Sequence, residues 1–132
     1  MPAEAVELET PGGLRWAPLI RLVVGGFADH ADLRFDELDD LQLAVELLLA
    51  EAEPEDRIRL SLEIVDEAAV RLRVGPLSEE AVAGALQGPP AGPGELNLRR
   101  VLETVVDSFG IEGARDGGVV VRLEKVVPAR VR

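Results

Sequence analysis

The 132 residues contain no cysteine, which excludes disulfides, thiolate metal sites and thiol nucleophiles together. Histidine occurs once, as His30 between Asp29 and Asp32, and reads as a solvated surface residue with little scope for imidazole chemistry. Aromatics are limited to Trp16, Phe27, Phe35 and Phe109, so packing must rest on Leu, Val, Ile and Ala. No run of 18 or more apolar residues occurs, and Met1-Pro2-Ala3-Glu4 lacks the basic-then-apolar order of a secretory leader. A cytoplasmic protein is the expectation. Positive charge is also scarce, with 14 Lys and Arg against 25 Asp and Glu and a net charge of -11. Such a surface repels phosphate backbones and anionic headgroups over a Debye length of about 8 Å, so neither direct nucleic-acid binding nor membrane binding is expected.

Apolar residues nevertheless make up 47% of the chain, too many for a disordered polymer. The length suits a single domain spanning 1–132. Val6-Glu7-Leu8-Glu9 alternates and stops at Thr10-Pro11-Gly12-Gly13, as a short edge strand does. Leu19, Leu22, Val23 and Phe27 recur at helical spacing, with Pro18 tolerable only in the first turn. A second helix is expected from a cap at Asp36, with Leu38, Leu41, Val45, Leu48 and Ala52 on one face and Pro54 ending it. Ile58, Leu60, Leu62, Ile64 and then Val70, Leu72, Val74 alternate around a turn at Asp66-Glu67, predicting an antiparallel hairpin. Ser78 caps a short third helix, with Leu77 placed to staple onto Val82. Residues 87–94 hold a Gly- and Pro-rich loop. Leu98, Val101, Leu102, Val105 and Phe109 mark a fourth helix, and Asp116-Gly117-Gly118 turns into Val119, Val121 and Leu123. This order predicts an α+β fold: a mostly antiparallel mixed sheet with helices packed on one face. The other sheet face would carry Arg57, Arg59, Ser61, Glu63, Arg71, Arg73, Arg122 and Glu124.

Candidate chemistry is thin. Asp39, Asp40, Glu51, Glu53, Glu55 and Asp56 do not follow the order of a calcium loop, and Gly92-Pro93-Gly94 lacks the Lys-Ser/Thr of a P-loop. Between Asp36 and Asp56 there are nine acidic residues and no basic one, a ridge suited to steering a basic partner.

The element order, together with Asp39-Asp40-Leu41-Gln42-Leu43-Ala44-Val45-Glu46, resembles the anti-sigma regulatory serine kinases of the GHKL, histidine-kinase-like ATP-binding superfamily. Arg21-Leu22-Val23-Val24, the Gly-rich loop before a Leu-rich helix, and Gly117-Gly118-Val119-Val120-Val121-Arg122-Leu123-Glu124-Lys125 add to the likeness, which covers roughly residues 5 to 126. The resemblance implies a histidine-kinase-like ATPase sandwich, with 87–94 in the place of the ATP lid. It also implies a helix-two glutamate activating the nucleophile, an asparagine four residues later holding magnesium, and an aspartate after a central strand reading adenine. In this chain the corresponding positions are Leu47, Glu51 and Gly75, and the surviving lid motif, Gly92, Gly94 and Leu96, encloses an acidic Glu95.

The expectation is therefore a degenerate domain that has lost nucleotide chemistry and needs neither ATP nor magnesium. It would act as a non-catalytic anti-sigma-like regulator in bacterial partner switching, binding a sigma factor or an anti-sigma antagonist. Asp39, Asp40, Glu53 and Glu55 are the candidate partner-binding residues. Two alternatives stand beside it: an active ATP-binding serine/threonine kinase, and a self-associating domain. For the latter the resemblance implies a homodimer surface on the first strand and first helix, with Trp16, Leu19 and Val23.

Overall fold

Strict alternation along the strands decides the architecture, because every second side chain must leave water together. The computed structural model describes residues 5–66, 68–87, 98–115 and 117–127. In chain order these form β1 (Ala5–Pro11), α1 (Ala17–His30), α2 (Phe35–Leu49), β2 (Arg57–Val65), β3 (Ala69–Leu77), α3 (Glu79–Gln87), α4 (Leu98–Val105), β4 (Ser108–Gly113) and β5 (Val119–Val126). The strands make one five-stranded sheet in the order β1-β2-β3-β5-β4, and every pairing is antiparallel. β1 and β4 are its edges.

Opposite-strand register carries Leu8↔Leu60, Leu62↔Leu72, Leu72↔Leu123 and Val74↔Val121 across one face. On that face Leu60, Leu62, Leu72, Val74, Val121 and Leu123 are fully buried, and the helices cover them. α2 contributes Leu41, Ala44, Val45, Leu48 and Leu49, and α4 contributes Leu98, Val101, Leu102 and Val105. Ser78 caps α3 as expected, its Oγ accepting the Ala81 N–H at 3.3 Å. The turn after β1 is pinned to the end of α2 by Gly13 N–H to Leu49 O and to the loop beyond it by Gly12 N–H to Asp56 O. A Cβ at Gly12 would lie 2.3 Å from Glu53 O, so only glycine allows that approach.

Three local expectations are corrected. α1 buries Ile20, Val24, Phe27 and Ala28, not the stripe through Leu19 and Leu22, which face outward. α2 is capped at Arg34, whose N–H donates to the Glu37 carboxylate at 3.0 Å, and Asp36 sits inside the first turn. Phe109 belongs to β4 opposite Leu123, because Asp107 is drawn into the sheet: its N–H donates to Glu124 O and its carboxylate accepts the Val126 N–H.

Candidate functional site

Leu47 stands on α2 half-buried against the hydrophobic core. No proton or hydrogen bond can be accepted there. Glu51 is half-buried in the turn that follows α2, its N–H donating to Leu48 O. Gly75 is buried in β3, and a Cβ on it would meet Val119 O at 2.7 Å and Val120 Cα at 2.9 Å. The β5 backbone therefore occupies the space that any side chain at this position, a carboxylate included, would need. Gly92, Gly94 and Leu96, with all of residues 88–97 and so nearly all of the loop expected at 87–94, lie outside the described residues. Among the described residues no group of three or more His, Asp or Glu side chains converges as a metal site would.

The acidic ridge does not form one patch. Asp39 and Asp40 lie near the start of α2, whereas Glu53 and Glu55 lie beyond its end. The helix between Asp39 and Leu49 alone rises roughly 15 Å. Distant cations also neutralise part of the ridge. Lys125 reaches Asp40 at 3.2 Å while donating to Val105 O at 2.7 Å, and Arg21 clamps Glu46 through both carboxylate oxygens. The Arg21 guanidinium is held charged by that clamp above all. Asp56, itself exposed, accepts the Glu53 N–H at 3.2 Å. Asp39, Glu53 and Glu55 remain exposed.

The open sheet face bears an ionic lattice. Glu63 accepts from Arg71 and Arg73, Glu112 from Arg73 and Arg122, Glu124 pairs with Arg71 and Arg122, and Glu9 is shared by Arg57 and Arg59. Gly110 makes room for it, since a Cβ there would stand 2.6 Å from the Arg122 guanidinium. Glu9 titrates below the ordinary carboxylate range because Arg59 and then Arg57 hydrogen-bond its charged form. Glu112 is lowered chiefly by its hydrogen bond from Arg73, against some opposition from burial. A shallow groove of about 610 Å³ crosses the end of this face, among Glu9, Arg57, Arg59, Arg73, Gly75 and Arg115.

A second groove, of about 540 Å³, lies on the helical side of β1. Ala5, Val6, Leu22, Val23, Gly26, Phe27 and His30 line it. Leu22 is 74% exposed, and Trp16 and Leu19 continue the apolar surface along the outside of α1 at 44% and 47%. α1 is thus apolar on two sides, one packed into the hydrophobic core beside α2 and one facing water. The family resemblance picked out Trp16, Leu19 and Val23, and periodicity Leu19, Leu22, Val23 and Phe27, but neither gave the groove, whose signal is that Val6 and Leu22 belong to elements with a second apolar face.

No protein-family model matches the chain, and no curated protein sequence is similar to it. Among solved structures, the NMR structure of the histidine kinase domain of the E. coli osmosensor EnvZ is similar over 100% of this chain and 93% of its own, with a TM-score of 0.53 at 15% identity. That likeness is one of fold. The chain has an α+β histidine-kinase-like ATPase fold, with a five-stranded antiparallel sheet and four helices among the described residues. Among the described residues no helix is long and apolar enough to cross a membrane.

Proposed function

We propose that the chain is a non-catalytic regulatory module of the anti-sigma type, which keeps an ATPase-like shell and works by holding a protein partner, either a sigma factor or an antagonist of one. The observation that carries this reading is the water-facing apolar side of α1. Trp16, Leu19 and Leu22 are large, exposed and set three residues apart, one helical face that its own fold leaves uncovered. Contiguous apolar surface of this kind is costly in water and marks sites of protein association. The vacancy of nucleotide chemistry is supported separately by an apolar Leu47 and by the closed space at Gly75. A net charge of -11 favours a basic partner and speeds its approach.

The test is capture of a partner from the native cell by the full chain and by a Leu19→Glu/Leu22→Glu variant. Both positions are exposed, so the variant keeps its fold. Loss of the captured protein, with unchanged thermal unfolding, is the expected result; equal capture would overturn the reading of α1.

A further inference from the structure

The outward stripe of α1 is continuous except for one gap. Leu19, Leu22, Gly26 and Asp29 follow one another at helical spacing, and all four are exposed. The described packing gives no reason for glycine at 26. A Cβ there would meet nothing within 4 Å among the described residues, whereas at Gly12 and Gly75 the neighbouring backbone forbids one. An interior helical glycine lowers stability relative to alanine, so this one weakens α1 with no gain in contact inside the chain. Beside Gly26 runs the apolar groove of about 540 Å³, walled by Val6 of β1 and by Leu22, Val23 and Phe27 of α1. The two ends of the stripe carry opposite charge. Arg15 lies in the turn leading into α1 and Asp29 in its last turn, both exposed, and neither side chain has an ionic partner among the described residues.

We infer that a partner protein lays an amphipathic helix along α1, its backbone closest at Gly26, with an acidic side chain towards Arg15 and a basic one towards Asp29. Helices pack by setting ridges of side chains into grooves, and a position without a side chain is where two of them come nearest. An apolar stripe with a groove alongside is the surface on which amphipathic helices dock. Leu19 to Asp29 rises roughly 15 Å, so the docked stretch is about three turns. A second copy of the chain is the poorer occupant, because each carries a net charge of -11 and two such bodies repel. The inference rests on the reading of the chain as a partner-binding module and names the form and charge of the partner segment.

Helical peptides of about 18 residues, roughly five turns, test it against the full chain. One has Leu along a single face with Glu at one end and Lys at the other; the second has the same composition with Leu spread around the helix; the third has the striped face with Lys at both ends. Binding is read by fluorescence anisotropy and peptide helicity by circular dichroism. The striped Glu/Lys peptide should bind about tenfold more tightly than its scrambled form and gain helix on binding. Gly26→Leu should weaken that binding about tenfold with thermal unfolding unchanged or raised, because the added side chain fills the space the incoming backbone needs. A merely adhesive apolar surface would bind more tightly with an extra leucine, and that result overturns the inference. Arg15→Glu should weaken the Glu/Lys peptide about fivefold more than the peptide with Lys at both ends, a readout independent of how Gly26→Leu folds. Equal losses overturn the inference, as does binding without a gain of helix. Dimerisation of the full chain before any peptide is added, abolished by Leu22→Glu, gives the stripe to a second copy and overturns it too. Native capture that survives Gly26→Leu but is lost in Leu19→Glu/Leu22→Glu refutes the docked helix while leaving the regulatory reading intact; that reading itself falls with Mg-ATP binding.

Discussion

The two faces of the sheet are written by the same strands in alternate residues, yet they solve opposite problems. The helix-covered face is closed to solvent: Leu60, Leu62, Leu72 and Leu123 are fully buried in the hydrophobic core. The open face meets water with a lattice of arginines and glutamates in which Glu9, Glu63, Glu112 and Glu124 each serve two cations. Burial makes the first face the source of stability, while solvent screening makes the second a means of solubility and register.

The largest effect expected from this contrast is on the covered face. Leu72→Ala should cost about 2–5 kcal/mol in urea unfolding, because a fully buried leucine leaves a cavity; a cost under 1 kcal/mol would mean the face is not close-packed. Next comes Gly75→Asp, which places a carboxylate in β3 where the family resemblance expects one. The clash with Val119 O and Val120 should cost about 1–3 kcal/mol and yield no ATP binding, a stable ATP-binding variant being the contrary result.

On the open face, Arg73→Gln removes a cation shared by Glu63 and Glu112 and should cost about 1 kcal/mol or less, shrinking further in high salt. The lattice also sets a pH dependence. Glu9 and Glu112 have depressed values in the folded chain, so their contribution is complete above the unfolded carboxylate range and is lost as pH falls through the lower folded values. Thermal unfolding should therefore stay level down to about pH 4.3 and decline below it, with a shallower decline in Arg73→Gln. The smallest effect is expected at the acidic ridge: Asp39→Asn, Glu53→Gln and Glu55→Gln should each change stability by less than about 0.5 kcal/mol, since all three are exposed.

The order of the nine described elements and the antiparallel hairpin were legible in the sequence because periods of two and of 3.6 leave different apolar traces. The outward face of α1 was not, because Leu19 and Leu22 fit a helical stripe as well as Ile20 and Val24 do, and periodicity does not say which stripe meets the sheet. Nor was the break-up of the acidic ridge. A local charge count between Asp36 and Asp56 cannot foresee that Arg21 and Lys125 arrive from other elements. Phe109 was misplaced because its spacing from Val105 continues a helix, whereas Asp107 commits the chain to the sheet.

Calorimetric titration of the full chain with Mg-ATP tests the central claim most directly. The account predicts no saturable heat up to millimolar nucleotide, because on the proposed reading Leu47 is apolar and the space at Gly75 is closed by β5. A micromolar dissociation constant, accompanied by phosphate transfer to a protein, would contradict it.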